Sequence, residues 1–271
     1  SLEPMVNSTS ILHLASALLA LGLFNPQLIQ TQSKRIAAAF SPSVTQTRTV
    51  QAALPSRDQQ LLEAVRRGDV QRAELALDQG ASVNAGNRYI GYPITIATEQ
   101  GNLAMVQLLV AQGADVDVVS TSGQTALGRA VDMGNSEVVR ILVGAGASPN
   151  RRTAYGVPLL YRATEMGNAD IVRLLLQGGA NTDAQVGSVT SLYKAVESGN
   201  LAIARLLLGG GANPDQASPL YRAVENGNAE LVRLLLTYGA NPRISQRGVS
   251  ALNLAQTQGN RAIATMLRQA M

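Results

Sequence analysis

The stretch that decides the fold is Gly156–Asp183, GVPLLYRATEMGNADIVRLLLQGGANTD. Leu160 and Ala163 give a first short helix an apolar edge. Gly167-Asn168 then interrupts the pattern, because Gly readily takes the left-handed conformation after a helix and Asn caps the next one. Apolar residues recur at helical spacing in a second helix: Ile171, Val172, Leu175 and Leu176. Since isolated helices shorter than about 12 residues are marginal in water, the pair is predicted to stack on copies of itself.

Two markers show that such copies exist. A Gly-Asn pair recurs with spacings of 33, 33, 32, 28 and 32 residues, at Gly101, Gly134, Gly167, Gly199, Gly227 and Gly259. A Gly-Ala pair follows each second helix, at Gly80, Gly113, Gly146, Gly179, Gly211 and Gly239. Two markers that stay in phase over six copies indicate an internal repeat.

One copy carries a recognisable pattern. Its segments are Ser218–Ala223 (SPLYRA), the break at Gly227-Asn228, Leu231–Leu236 (LVRLLL) and Gly239–Pro242 (GANP). This pattern resembles an ankyrin repeat, which has a period of about 33 residues and a Thr-Pro-Leu-His-x-Ala opening. The resemblance extends from Arg57 to Met271. It implies an all-α repeat fold, an ankyrin-type α-solenoid of helix-turn-helix units with β-turn fingers and about seven repeats including terminal caps.

The openings of the first helices are expected to differ in capping. Ser218 before Pro219 predicts an N-cap hydroxyl ahead of a proline at the first helical position, which is a favoured arrangement. Thr125 and Ser250 keep the hydroxyl cap without the proline. Tyr92 lacks a capping side chain, so its helix start is expected to be weaker by roughly 1 kcal/mol.

Residues 1–56 do not match the repeat and are predicted to form an irregular leader. Ser1–Pro4 is expected to be a cloning scar, with Met5 the native start. Ile11–Phe24 is an apolar run of 14 residues, which is the length of a signal-peptide core and shorter than the roughly 20 residues of a membrane span. Asn25–Pro55 has the composition of a flexible linker or of a transit peptide.

This leader favours export and a periplasmic location, with residues 11–24 acting as a cleaved signal peptide, an anchor or a transit peptide. The alternatives are a cytoplasmic or an organellar location. Membrane contact is expected only through residues 11–24, and only if they remain uncleaved.

The amino-acid composition excludes several kinds of metal site and catalytic site. The chain has no cysteine and one histidine, His13, which lies outside the repeats. Disulfides, thiolate or histidine metal sites and Ser-His-Asp or Cys-His nucleophiles are therefore excluded. Gly209–Gly211 is glycine-rich, but it follows a helix instead of opening one, as a phosphate cradle would. We expect no cofactor, no metal, no small-molecule substrate and no enzymatic activity.

The charge changes along the repeats. Arg57–Ser120 contains five basic and eight acidic residues, whereas after Glu230 there are five arginines and no acid. This change in net charge along the repeats is either a random variation of solvent-exposed residues without a function, or it produces an electrostatic field that orients a partner along the stack. It also supports an alternative function, binding of nucleic acid or an anionic surface through the arginine-rich C-terminal repeats.

A charged row is predicted on the first helices. A base precedes the central Ala of four successive helices, and an acid stands three residues later: Arg129, Arg162, Lys194 and Arg222, with Asp132, Glu165, Glu197 and Glu225. Because positions i and i+3 share a helix face, each pair contributes about 0.2–0.5 kcal/mol, and stacking extends the row into a ladder. The ladder is either a recognition surface or an ion-pair network that sets the repeat register.

Repeat six is shorter than the others. Only Gln216-Ala217 separates Asp215 from Ser218, where other repeats have about seven residues. Since both helices of this repeat are complete, the missing residues are those of the finger. A notch in the row of fingers is predicted, and it is either silent or functional.

The resemblance implies a non-catalytic scaffold that binds a protein partner through a concave face, as an inhibitor or a regulator. The protein is expected to be a monomer or part of a hetero-complex. Candidate contacts on the fingers are Arg88, Tyr89, Thr121, Ser122, Tyr155 and Arg247. Those on the first helices are Glu99 and Gln100 and the eight ladder residues. The core is predicted to come from doublets in the second helices: Leu108-Leu109, Ile141-Leu142, Leu174-Leu175, Leu206-Leu207 and Leu234-Leu235.

Overall fold

The computed structural model describes residues 56–120 and 122–271. The predicted leader therefore lies outside the described residues except for Ser56, and so does the candidate contact Thr121. The described part contains fourteen helices. They are α1 (Ser56–Arg67), α2 (Val70–Asp78), α3 (Pro93–Glu99), α4 (Leu103–Ala111), α5 (Ala126–Asp132), α6 (Ser136–Gly144), α7 (Leu159–Glu165), α8 (Ala169–Gln177), α9 (Ser191–Glu197), α10 (Leu201–Gly209), α11 (Pro219–Glu225), α12 (Ala229–Thr237), α13 (Ala251–Thr257) and α14 (Arg261–Ala270).

The helices form seven successive pairs, α1–α2 to α13–α14, which we number one to seven. The first member of each pair contacts the first member of the next pair, and the second contacts the second. We call the two rows the inner and the outer helices. The predicted all-α solenoid of helix-turn-helix units is confirmed by this arrangement.

The turn inside each pair follows the predicted Gly-Asn chemistry. The six glycines of this motif have φ between 65° and 72°, the left-handed region that ends a helix without strain. The side-chain oxygen of each following Asn accepts the backbone N–H three residues later at 3.0–3.2 Å. In pair one, Asp69 takes the role of Asn and accepts from Arg72 N. The prediction of these boundaries is confirmed.

The core is a row of thin aliphatic layers. Each inner helix from pair two onward has a fully buried alanine at the same repeat position: Ala97, Ala130, Ala163, Ala195, Ala223 and Ala255. In the outer-helix doublets the second residue is fully buried, whereas the first is only half-buried in every pair except that of Leu234. Consecutive residues lie about 100° apart around a helix axis, so only one residue of each doublet points directly at the inner helix.

A row of side-chain bonds joins the loops of successive pairs. An Asp or Asn oxygen of one loop accepts a backbone N–H of the next loop at 2.7–3.1 Å. The acceptors are Asn84, Asp117, Asn150, Asp183 and Asp215. These bonds satisfy backbone donors that no helix or strand uses, and they fix each loop against its neighbour.

Fingers precede most of the inner helices. Strand β1 (Gln185–Val186) pairs antiparallel with β2 (Val189–Thr190), and β3 (Ser245–Gln246) pairs in the same way with β4 (Val249–Ser250). Isolated bridges at Asn87–Gly91 and Arg152–Pro158 and a hydrogen bond from Ser120 N to Gln124 O close three more fingers. We define the fingers as residues 87–91, 120–124, 152–158, 185–190 and 245–250.

Pair six has no finger, so the predicted notch is present in the structure. The short link Gln216-Ala217 also changes the backbone at the start of α11, which the sequence pattern did not indicate. Ala217 and Ser218 have φ of 64° and 60°, and the Ser218 side chain makes no capping hydrogen bond. The predicted Ser218 cap is therefore wrong, because a two-residue link reaches α11 only through left-handed backbone. The expected caps at Thr125 and Ser250 are confirmed.

The weak start expected at Tyr92 is compensated. The Thr95 hydroxyl accepts from Tyr92 N at 3.2 Å and donates to Tyr92 O at 2.8 Å. A side chain inside the first turn thus replaces the missing cap.

We expect Ala217→Gly to raise the free energy of unfolding by about 0.5–1 kcal/mol. Left-handed backbone costs a non-glycine residue about 1–2 kcal/mol, which exceeds the greater entropy of glycine in the unfolded chain. Urea denaturation measures the change. Ala184→Gly is the control, since the φ of Ala184 is not positive, and it should destabilise the protein by up to about 1 kcal/mol. Equal effects of the two substitutions would contradict strain at the notch.

The two ends of the stack differ in polarity. Arg268 of pair seven occupies the position of the half-buried Leu236 in pair six, as suits a last layer that faces water. In pair one, Leu75 corresponds to the half-buried Leu108 and is 56 % exposed. None of the helices in residues 56–120 and 122–271 is long and apolar enough to cross a membrane.

Candidate protein-interaction surface

The fingers and the inner helices lie on the same side of the stack, because each finger runs directly into the inner helix that follows it. We call the fingers, the exposed sides of α3, α5, α7, α9 and α11, and the residue that directly follows each of these helices the inner surface. Of the sixteen candidate contacts, fifteen lie in the described residues and all of these belong to the inner surface or its immediate ends.

One ion-pair cluster joins α5 and α7. Arg162 Nε lies 3.1 Å from Asp132 Oδ1, and Arg162 Nη1 lies 2.8 Å from Glu165 Oε2. Gln124 Nε2 donates to Asp132 Oδ2 at 2.6 Å. The hydrogen bonds to Glu165 and Asp132 raise the pKa of Arg162. We call these four residues, Gln124, Asp132, Arg162 and Glu165, the first cluster.

A second cluster joins α9 and α11. Glu197 pairs with Lys194 of its own helix at 3.0 Å and with Arg222 of the next inner helix at 3.1 Å. Arg222 also pairs with Glu225 at 2.6 Å. The hydrogen bond from Lys194 lowers the pKa of Glu197 below its ordinary value. Both clusters bridge neighbouring repeats, so they hold the register between them.

The predicted continuous ladder is therefore wrong in two places. Among the described residues Arg129 makes no ion pair, because Arg162 and Gln124 already occupy the two oxygens of Asp132. Glu165 and Lys194 do not approach within 4 Å, so the two clusters are separate. Seven of the eight ladder residues are paired and one cation, Arg129, is exposed to solvent.

The candidates at the end of α3 behave differently from each other. Glu99 is exposed, and Ile96 stands where the next four inner helices carry a base. Gln100 Nε2 donates to Arg66 O of the preceding inner helix at 2.8 Å. Gln258 makes the same type of bond to Glu225 O at 3.0 Å. Gln100 thus joins two repeats, while the Glu99 carboxylate remains available to a partner.

The finger candidates include the most exposed aromatic side chains. The guanidinium of Arg88 lies 4.8 Å from the centre of the Tyr89 ring, and its Nη2 donates to Tyr89 Oη at 2.7 Å. Tyr89 is 65 % exposed and Tyr155 is 90 % exposed. Ser122 shares a hydrogen bond with Ser120, and Arg247 is exposed at the turn between β3 and β4.

Two methionines belong to the inner surface but were missed by the sequence reasoning. Met133 and Met166 follow α5 and α7 directly and are 41 % and 39 % exposed. The later inner helices have Ser198, Asn226 and Gln258 at this position. The change from apolar to polar at one repeat position was a usable signal, because exposed methionines adapt readily to a binding partner.

We expect Glu197→Gln to reduce stability at neutral pH but not in acid. A carboxyl with a lowered pKa stabilises the fold above its ordinary pKa of about 4.3, and this contribution is lost as the pH falls through the folded-state value. The difference from wild type should be at most about 1 kcal/mol at pH 7, since Glu197 is partly exposed, and near zero at about pH 3. Urea denaturation at both pH values measures it.

Glu230→Gln is the control for this prediction. Glu230 is exposed, and it makes no ion pair among the described residues. Its replacement should change the stability by less than about 0.5 kcal/mol at either pH. A pH-independent loss in Glu197→Gln would show that the carboxylate charge is not what stabilises the second cluster.

The described residues hold no group of three or more His, Cys, Asp or Glu side chains that could bind a metal ion. The inner surface instead combines paired charges, exposed aromatics and exposed thioethers. A surface of this composition can bind another macromolecule. Exposed aromatic and thioether side chains add little to the stability of their own fold, and they often serve as binding contacts.

Stacked helix pairs with projecting fingers and an open inner surface define a repeat scaffold. The chain belongs to the ankyrin repeat family. The family model described as "Ankyrin repeats (3 copies)" matches residues 61–153, 151–218 and 192–270. Ankyrin repeats are generally protein-interaction modules.

Two solved structures illustrate the likeness. The ankyrin repeat domain of human ASB11 is 28 % identical with a TM-score of 0.55, and the match covers 78 % of this chain and 97 % of that one. The ankyrin repeat domain of Bcl-3, described as a unique member of the IkappaB protein family, is 27 % identical with a TM-score of 0.63. That match covers 77 % of this chain and 97 % of the Bcl-3 chain. No curated protein sequence matches the chain.

Proposed function

We propose that this protein is a non-catalytic scaffold that binds a protein partner through its inner surface and thereby inhibits or regulates that partner. The observation that carries the proposal is the set of exposed side chains in pairs two to four. Tyr89 and Tyr155 lie on fingers, Met133 and Met166 directly follow the inner helices α5 and α7, and all four side chains are large and exposed. Aromatic residues and methionine are enriched at protein interfaces, where a few such anchors supply most of the binding energy.

The charges of this half of the surface support the same proposal. Arg129 and Glu99 carry charges that make no ion pair among the described residues, so a partner would not have to break an existing bond to reach them. The first and second clusters are satisfied internally. Because these internal ion pairs would have to break before a partner could bind the same charges, we assign the two clusters mainly to holding the register between repeats.

The alternative function, nucleic-acid or anionic-surface binding through the C-terminal arginines, has weaker support. Arg233 lies on α12, Arg247 on a finger and Arg261 and Arg268 on α14. Arg243 Nη2 approaches Met271 O at 3.4 Å. These arginines are spread over different elements instead of forming one stripe. A salt titration separates the two functions, because binding dominated by phosphate contacts weakens steeply with ionic strength.

Affinity capture with the full chain tests the proposal. The bait carries an affinity tag and is incubated separately with the periplasmic and the cytosolic fraction of the native organism, since we also propose export on the basis of the apolar run Ile11–Phe24. The captured partner is then purified and its affinity is measured by calorimetry. Recovery from the cytosol alone would contradict export while leaving protein binding intact.

Matched variants locate the binding face. Met133→Asp with Met166→Asp places two carboxylates on the inner surface, and we expect at least about a tenfold loss of affinity. Gln107→Asp with Thr265→Asp makes the same type of change on exposed outer-helix positions, and the affinity should stay within about twofold. Equal losses in the two variants, or no loss in either, would contradict binding through the inner surface.

A further inference from the structure

The fingers carry positive charge that no ion pair among the described residues neutralises. Their charged residues are Arg88, Arg152 and Arg247, and no Asp or Glu occurs in any finger. Arg88 donates to Tyr89 Oη and Arg152 donates to Gly156 O at 2.6 Å, so both bond neutral acceptors. No acid of the described residues forms an ion pair with any of the three.

The inner helices differ in this respect. Three of their cations, Arg162, Lys194 and Arg222, are paired with carboxylates of the two clusters, and Arg129 of α5 is the exception. The unneutralised positive charge of the inner surface therefore lies mainly along the finger row. A potential of this sign attracts an acidic partner and speeds its association.

The exposed tyrosines have a regular spacing in this row. Tyr89 and Tyr155 are 66 residues apart (155 − 89), which equals two periods of 33, so they occupy the same position in pairs two and four. Neighbouring helices pack about 8–10 Å apart, which places the two rings about 20 Å from each other. Ser122 occupies the position between them.

The two rings are suited to act as anchors. A tyrosine that is 90 % exposed contributes little to the stability of its own fold, whereas Tyr and Arg are the residue types most often found at interface hot spots. The contact of Arg88 with the Tyr89 ring restrains that ring, which remains 65 % exposed. Pre-organised contacts of this kind lose less entropy on binding.

We propose that the finger row of pairs two to four binds an acidic, extended segment of the protein partner, with Tyr89 and Tyr155 as anchors and Arg88 and Arg152 as counter-charges. This inference rests on the proposed function and specifies the partner's chemistry. An extended chain rises about 3.3 Å per residue, so about six residues span the two rings.

The spacing of the rings argues against single-stranded nucleic acid as the occupant. Proteins that bind single strands stack successive bases on aromatic side chains that stand close together. Rings about 20 Å apart, with a serine between them, cannot stack successive bases. A peptide chain can instead bridge the two fingers that carry an arginine and a tyrosine, with acidic side chains near Arg88 and Arg152 and apolar ones near Tyr89 and Tyr155.

The test uses the full chain and a fluorescein-labelled synthetic peptide in which six glutamates alternate with leucines, followed by fluorescence anisotropy. We expect binding that weakens with added salt, because the contacts are ionic and exposed. Arg88→Glu with Arg152→Glu should reduce the affinity at least about tenfold, and so should Tyr89→Ala with Tyr155→Ala. Thermal unfolding of each variant confirms that the stack remains folded.

The control variant is Arg205→Glu with Arg233→Glu. Both arginines are exposed on outer helices and make no ion pair among the described residues, so the change in net charge is the same as in the finger variant. Its affinity for the peptide should stay within about threefold of wild type. A peptide with glutamine in place of glutamate should not bind.

Four outcomes would overturn the inference: no binding of the acidic peptide at millimolar concentration, equal losses in the finger and control variants, equal binding of the glutamine peptide, or tighter binding of a labelled oligothymidylate. None of these outcomes would contradict the proposed function, because that function is tested separately by capture of a partner and by the variants at Met133 and Met166. Failure of this inference is thereby distinguishable from failure of the proposed function.

Discussion

Replacing Leu175 by alanine is expected to lower the free energy of unfolding by about 2–5 kcal/mol. Leu175 is fully buried in α8, which contacts the outer helices α6 and α10 on its two sides. Removing its branched end leaves a cavity that the rigid layers fill only in part, so the loss includes both transfer energy and lost contacts. Urea denaturation followed by circular dichroism gives the value.

Leu174→Ala is the matched control. Leu174 is the neighbouring member of the doublet and is only half-buried, so its truncation should cost clearly less, about 1 kcal/mol. A change below about 0.5 kcal/mol in Leu175→Ala, or a larger loss in Leu174→Ala, would show that the face of α8 is assigned wrongly.

The second large effect is expected for Ala163→Leu, which should destabilise the protein by about 3 kcal/mol or more. Ala163 is fully buried in α7, between the inner helices α5 and α9. A small residue at this point lets the inner helices approach closely, and a leucine would push them apart against the two ion-pair clusters and the loop bonds.

Ala202→Leu tests whether this effect comes from packing. Ala202 is exposed on α10, so the added side chain meets solvent and the stability should change by less than about 0.5 kcal/mol. Thermal and urea unfolding measure both variants. A mild effect of Ala163→Leu, below about 1 kcal/mol, would contradict close packing of the inner helices.

The parts of the fold that follow local rules could be predicted from the sequence. Gly167 ends α7 and Asn168 caps α8 as expected, because left-handed glycine and side-chain capping depend only on neighbouring residues. The helix periodicity placed Leu175 in the core for the same reason. These signals recur in each copy of the motif, so the repeat reinforces every local prediction.

Features that depend on tertiary geometry could not be predicted in this way. Ser218 has the sequence of a good cap, but the short link forces it into left-handed backbone. Asp132 has its own-helix partner Arg129 at the right spacing, yet its oxygens bond Arg162 of the next repeat and Gln124. In both cases several conformations satisfy the local rules, and contacts between repeats select one of them.

The candidate site was predictable as a surface but not as a set of contacts. The sequence placed Tyr155 and Arg88 on fingers, and the structure gives their exposure and the contact between Arg88 and Tyr89. Met133 and Met166 were missed because an apolar residue at the end of an amphipathic helix is usually buried. Which of these residues touch a partner is a property of the complex, so it stays a prediction.

Photo-crosslinking of the protein to its captured partner tests the central claim most directly. A benzophenone amino acid is placed either at Met166, on the inner surface, or at Arg173, which is exposed on the outer helix α8 of the same repeat. We predict a cross-linked species of one chain with one partner from position 166 and none from position 173. Cross-linking from position 173 alone, or equally from both positions, would contradict a scaffold that binds its partner through the inner surface.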